Sequence, residues 1–200
     1  MFQELKSKNS VWGNIVKMLL APFAIFGEVL TVALISLAII LPIRYFLVQP
    51  FYVKGASMEP NFQEHDYLLI DEISYRFHSP QRGEVIVFRP PLGKREFFIK
   101  RVIGLPGERV QIRDGKVWAA KAGEQLQEIK ESYLEGVVTQ GQINSTYLDV
   151  TLSQDQYYVL GDNRGASLDS RTFGPITSHE IMGRTWVRAW PFDRWQVYSY

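Results

Sequence analysis

Residues Val29 to Ile43 form an unbroken uncharged and almost wholly apolar run, Val-Leu-Thr-Val-Ala-Leu-Ile-Ser-Leu-Ala-Ile-Ile-Leu-Pro-Ile, bracketed by Glu28 and Arg44. Apolar residues continue upstream through Met18–Gly27 and downstream through Tyr45–Val48. A helix needs roughly 20 predominantly apolar residues to cross a bilayer core. Arg44 can snorkel and Tyr45 and Phe46 suit an interface, so the run is long enough once its flanks are included. Pro42 is tolerated near the end of a membrane helix but would bend or end a soluble one. The alternative is a buried core helix. A cleaved leader fits less well, because the apolar region is too long and no small-x-small site follows it. Lys6, Lys8 and Lys17 precede the run, against Arg44 and Lys54 close behind it. That bias favours a cytoplasmic N-terminus and an external C-terminal domain behind a single-pass anchor. Residues 1–48 are therefore expected to be cytoplasmic N-terminus and anchor, and 49–200 a separate domain. Residues 15–27 either lengthen the span or lie on the membrane surface.

Beyond Pro50 the chain breaks into short runs rich in β-branched and aromatic residues, separated by Gly, Pro and Asp. Examples are Tyr67–Ile70, Glu84–Phe88, Phe97–Ile103, Val110–Ile112 and Gln156–Leu160. Such spacing predicts a mainly β domain. Asp114-Gly115 between Arg113 and Lys116 predicts a tight hairpin. Residues 111–155 read as a small peripheral β insertion without chemistry of its own, its stretch from Ala119 to Ser145 lacking clean alternation. Ser178 to Met182 is expected to form one short helix capped by Ser178. The 22 basic and 21 acidic residues are scattered, which argues against a nucleic-acid partner. Cysteine is absent, which excludes disulfides, thiolate zinc sites and a cysteine nucleophile. No motif implies a metal or organic cofactor.

Shortly after the anchor comes Gly55-Ala-Ser57-Met-Glu-Pro60, a serine among small residues. A serine hydroxyl is a weak nucleophile until a neighbouring base takes its proton. His65 and His78 sit in polar turns and His179 opens the expected short helix, so none is in a setting suited to a triad. Lys100 interrupts an apolar strand and shares the face of Phe98 and Val102. Desolvation there lowers a lysine's pKa, and bringing it to roughly 7–8 costs about 4 kcal/mol. A lysine snorkelling from an edge strand is the alternative. Arg101 points the other way and stays protonated. Lys54 is expected to face away from Ser57 along an extended strand. In Gly161-Asp-Asn-Arg164, Ser167 and Asp169-Ser-Arg171, polar residues gather in one loop. A polar turn is one reading of it. The other is a support for a buried lysine, with Ser167 bonding the amine and an Asp169–Arg171 ion pair pinning the loop.

Taken in order, these segments resemble the type I signal peptidase family. The matching pieces are the Gly55–Pro60 motif behind an anchor, Phe98-Ile-Lys100-Arg-Val-Ile-Gly-Leu-Pro-Gly107, and the Gly161–Arg171 loop. Asp66–Ile70 and Arg82–Phe88 resemble the family's intervening strands. The resemblance runs to about Pro191 and implies a membrane-bound serine endopeptidase that removes signal peptides from exported preproteins after Ala-x-Ala sites. Ser57 would be the nucleophile and Lys100 the general base. Ser167 would orient the lysine amine, and Asp169 and Arg171 would support the site. Pockets for small side chains would use Phe51, Val53, Met58, Phe62, Leu68, Val87, Phe98 and Ile99, with Phe51, Val53, Gly55 and Ser57 alternating onto one face. The expected partners are signal peptides and the lipid bilayer. Gly55 stands where some members carry a serine that assists the oxyanion hole, and Gly165-Ala166 replaces a usually polar pair. A specialised member with one dedicated substrate, or a non-catalytic membrane-tethered β-barrel that only binds partners, are the competing readings.

Overall fold

The computed structural model describes residues 26–41, 48–91, 93, 96–134, 139 and 147–199. The chain divides into two compact units between Tyr45 and Phe46. In the first, residues 26–41 form helix α1, whose side chains are exposed along its whole length. The Thr31 hydroxyl donates back to the Gly27 carbonyl at 2.8 Å, a local bond that satisfies a polar group inside an otherwise apolar helix. Among the described residues no helix is long and apolar enough to cross a membrane. The expectations for residues 15–25 and for 42–47 lie outside the described residues.

The second unit is built from two antiparallel sheets. Its strands are β1 (Val48–Tyr52), β2 (Tyr67–Asp71), β3 (Val85–Phe88), β4 (Phe98–Gly104), β5 (Glu108–Arg113), β6 (Lys116–Lys121), β7 (Gln127–Glu128), β8 (Leu148–Thr151), β9 (Gln156–Leu160), β10 (Ile176–Thr177), β11 (Ile181–Trp190) and β12 (Gln196–Val197). The larger sheet runs β1-β2-β11-β3-β4-β9-β10, with β12 pairing the far part of β11. The smaller runs β7-β6-β5-β8. The mainly β architecture expected from the runs of Val, Ile, Phe and Tyr is thus present.

Burial explains the pattern of the runs. Every side chain of β3 is buried, so it reads as a continuous apolar run, whereas β2 alternates because only Leu68 and Ile70 face the core. One apolar cluster gathers Val53, Met58, Phe62, Leu68, Ile70, Val85 and Val87. A second joins Ile86, Phe88, Val102, Tyr157, Val159 and Ile176. A third, around Ile103, Val110, Ile112, Val117 and Tyr158, welds the small sheet to the end of β4.

The small sheet contains the expected hairpin. Asp114 and Gly115 both have positive φ, 53° and 76°, and Arg113 pairs with Lys116. Positive φ at both central positions is the tight-turn geometry that an Asp-Gly pair permits.

Two expectations are corrected. The segment Ser178–Glu180 is a single 3-10 turn whose cap is Thr177, not Ser178, with Glu180 closing a capping box. The short helix cannot continue to Met182, because Ile181 already begins β11. That strand takes the central place between β2 and β3.

Candidate active site

Strand β1 ends at Tyr52, and the chain turns at Gly55, whose φ is +81°. That conformation is cheap for glycine and strained for other residues. The turn delivers Ser57, half-buried, against the middle of β4. There Lys100 Nζ donates to Ser57 Oγ at 2.6 Å and to the Ile99 carbonyl at 2.8 Å. Lys100 is 3% exposed, and its Nζ lies 5.4 Å from the Phe98 ring centroid. Burial drives its pKa down from 10.5 to about 8, against the opposing pull of the Asp169 and Asp162 carboxylates. Lys100 is therefore a buried amine and does not snorkel out of an edge strand. An amine that loses its proton near neutral pH can accept one from a hydroxyl 2.6 Å away.

The loop after β9 holds this pair from the other side. Asn163 N–H donates to the Ser57 carbonyl at 3.1 Å, and its side-chain amide donates to the Ala56 carbonyl at 3.0 Å. Asp169 is fully buried at the start of helix α2 (Ser170–Phe173), where its carboxylate caps the helix by accepting from Arg171 N–H. It also accepts from Gly161 N–H at 3.0 Å, which draws the two ends of the loop together. Arg171 pairs with Asp169 at 2.8 Å and donates to the Arg164 carbonyl at 2.7 Å. The expected ion pair therefore pins the loop.

Ser167 behaves differently from expectation. Its Oγ is buried and makes no hydrogen bond within the described residues, while Lys100 Nζ bonds Ser57 and Ile99 instead. The hydroxyl packs against Gly161, where a Cβ would collide with it and with the Ser57 carbonyl. Its position in the loop is as expected; the bond to the amine is not made.

An open cleft of about 490 Å³ leads to Ser57 and Lys100. Phe51, Val53, Leu68, Val87, Phe98 and Ile99 line it, as expected of substrate-pocket residues. Met58 and Phe62 do not. Both are fully buried in the cluster behind the cleft, because the turn after Ser57 carries them inward. Strict alternation from Phe51 to Ser57 also fails, since the strand stops at Tyr52. Tyr52, Lys54 and Ala56 consequently line the cleft too, and Lys54 does not face away from it. Ala166 and Leu168 add a wall from the far loop that no local pattern announced. None of the three histidines lines the cleft; His65 is engaged by the Tyr52 hydroxyl.

The insertion is closer to the site than its sequence implied. Glu131 forms an ion pair with Arg164 at 2.5 Å, and Thr139 bonds the same guanidinium. The Tyr133 carbonyl accepts from Asn61 at 3.0 Å, and the Arg101 guanidinium lies 3.9 Å from the Tyr133 ring centroid. Arg101 in turn makes a buried two-point pair with Asp162 at 2.8 and 2.5 Å.

A serine hydroxyl bonded to a buried lysine beside an apolar cleft in a β domain is the arrangement of a serine endopeptidase. The family described as signal peptidase, peptidase S26, matches residues 26–190. A Synechocystis protein, probable signal peptidase I-2, is 40% identical over 157 residues, covering 76% of this chain and 67% of its own. Probable signal peptidase I-1 of the same organism is 34% identical over 88% of each chain. Signal peptidase I V of Bacillus subtilis is 34% identical over 155 residues, 74% of this chain and 90% of its own. The chain belongs to the signal peptidase family, peptidase S26.

Proposed function

We propose that the chain cleaves signal peptides from exported preproteins with Ser57 as nucleophile and Lys100 as general base. Signal peptidase I activity, that of a serine endopeptidase, is the activity of its family. The observation that carries the residue roles is the 2.6 Å contact between Ser57 Oγ and a lysine amine that burial has brought to a pKa of about 8.

Neutral Lys100 takes the Ser57 proton as the oxygen attacks the scissile carbonyl. The resulting ammonium gives that proton to the leaving amine, and Lys100 then activates the water that hydrolyses the acyl-enzyme. Ser57 N–H has no acceptor among the described residues and is free to bind the developing oxyanion. A donor of that kind lowers the barrier by about 3 kcal/mol. With glycine at position 55, no side-chain hydroxyl is added there. Asp169 and Arg171 hold the loop that packs on Ser57, and Ser167 lies beside it. The apolar cleft suits the small side chains of Ala-x-Ala sites. Larger groups would overpack its Val53, Val87 and Ile99 walls.

The family is typically membrane-anchored. The apolar run that includes α1 and the basic residues before it support residues 1–48 as a single-pass anchor in the plasma membrane. Residues 49–200 would then be the catalytic domain on the extracytoplasmic side, where signal peptides emerge.

The test is cleavage of a preprotein with an Ala-x-Ala site by the detergent-purified chain, with N-terminal sequencing of the product. Ser57→Ala and Lys100→Met are each expected to abolish it. Product formed at an undiminished rate by either variant would exclude the assigned roles.

A further inference from the structure

We propose that Glu131 and Tyr133, carried by the small-sheet insertion, are positioning residues for the Ser57–Lys100 pair, acting through Arg164 and Arg101. The inference rests on the proposed roles of Ser57 and Lys100. Two contacts carry it, and both converge on the site from one short stretch of chain.

The first contact reaches the nucleophile. Arg164 is buried, and two of its nitrogens meet the Glu131 carboxylate at 2.9 and 2.5 Å. Its Nε donates to the Gly161 carbonyl at 3.0 Å. The neighbouring Asn163 carries the N–H that bonds the Ser57 carbonyl. Burial alone would weaken the Arg164 charge, but the carboxylate more than offsets this and holds its pKa above the ordinary value. Removing the carboxylate leaves a buried cation without its counter-charge, and the loop must move to hydrate it.

The second contact reaches the base. The Tyr133 ring covers the guanidinium of Arg101, the residue after Lys100, and the Asn61 amide bridges the Tyr133 carbonyl and Asp162. Burial, reinforced by the Glu131 carboxylate, pushes the Tyr133 phenol up, so it remains a donor to Glu131 at 2.6 Å. Glu131 and Tyr133 are thus locked to each other as well as to the two arginines. Neither touches Ser57 or lines the cleft, so neither is a catalytic residue.

The groups that act on Lys100 define a readout that global destabilisation does not move. Its amine is held dry by its surroundings and faces the Asp169 and Asp162 charges. A loosened 161–167 loop admits water, and since desolvation is the larger influence, the lysine returns toward its ordinary value.

The experiment compares wild type with Glu131→Gln, using as control Glu128→Gln, which breaks the exposed Lys116–Glu128 pair in the same sheet. In Glu131→Gln the kcat/KM plateau is expected to fall about tenfold, as for a small misplacement of reacting groups. The midpoint of its rise with pH is expected to move alkaline from about 8, while the Glu128→Gln profile stays as in wild type. An unmoved midpoint in folded Glu131→Gln overturns the proposal. Should that variant fail to fold, Tyr133→Phe carries the test through loss of the Glu131 bond alone. A smaller alkaline movement supports the inference, and none overturns it. NMR titration of the Lys100 amine in the same variants reads the same movement without an activity assay, so an inactive wild type would count against the function and leave this result standing on its own.

Discussion

Asn163 holds the nucleophile by its backbone, its N–H donating to the Ser57 carbonyl at 3.1 Å. The approach is close because Gly161 has no side chain between the two segments. A Cβ there would strike the Ser57 carbonyl, which is backbone and cannot swing aside, as well as Ser167 Oγ. Gly161→Ala is therefore expected to lose about 1–3 kcal/mol of stability by overpacking. It should also lose far more activity than its folded fraction accounts for. Parallel thermal melts and peptide kinetics would show this, and an active, stable Gly161→Ala would mean the two segments can separate without consequence.

Activity should depend on pH through Lys100. The amine works as a base only when neutral, and burial sets its pKa at about 8. Accordingly kcat/KM is expected to rise with pH to a plateau, with its midpoint near 8. Two pH units below the midpoint it should be about 100-fold lower, because only that fraction of the base is unprotonated. A profile flat from pH 6 to 9 would assign proton transfer to another group.

The same shift predicts an effect on stability. Folded Lys100 loses its proton near pH 8 and unfolded Lys100 near 10.5. Below pH 8 both states are protonated and the folded one bears the net cost of the buried charge, about 3 kcal/mol. Between 8 and 10.5 the unfolded state binds more protons, so stability rises with pH and the penalty disappears. Lys100→Met should thus be inactive yet more stable than wild type at pH 7, with the advantage fading across that window. Urea denaturation at pH 7 and pH 10.5 would measure it, and an equal difference at both pH values would refute the linkage.

Much of this site was legible in the sequence because its chemistry breaks local rules. A lysine between Ile99 and Val102 contradicts the apolar face of its strand, and Ser57 stands in a short run of small residues. Asp169 and Arg171 were near enough in sequence to read as a pair. The residues that escaped notice depend on long-range placement. Glu131 looks like any polar residue of an irregular stretch until Arg164 is brought to it. Met58 and Phe62 lie beside the nucleophile in sequence, but the chain turns them into the core. Strand β11 was hidden because its register slips between Thr185 and Val187 and again between Arg188 and Trp190, which spoils its alternation. Its arginines are fixed by distant partners, Arg184 pairing with Asp71 and Glu84, and Arg188 with the buried Asp66.

Cleft shape offers a prediction about specificity. Val87 and Ile99 are register partners on β3 and β4, and both line the cleft. Val87→Ala removes two methyl groups from that wall and deepens it. The preference for alanine over a larger aliphatic residue in the small-x-small motif should fall about tenfold, the scale set by one or two methylenes in an apolar pocket. Paired peptides differing at one position would report the ratio. An unchanged ratio would place the size limit elsewhere in the cleft.

Asp162 separates electrostatics from scaffolding at the same site. It forms the buried two-point pair with Arg101, and its charge raises the pKa of Lys100. Asp162→Asn keeps the shape but takes the carboxylate's charge away from the buried Arg101, a change that costs about 3–5 kcal/mol. With that carboxylate gone, a positive charge on Lys100 is less favoured, so the midpoint of kcat/KM should move acid, below about 8. This is opposite to the direction expected when the loop is loosened and water reaches the amine. Measuring the profile on the folded fraction, below the lowered melting temperature, isolates the effect. An alkaline movement in Asp162→Asn would mean that the Arg101–Asp162 pair acts on Lys100 chiefly by keeping water out, and that its charge is secondary.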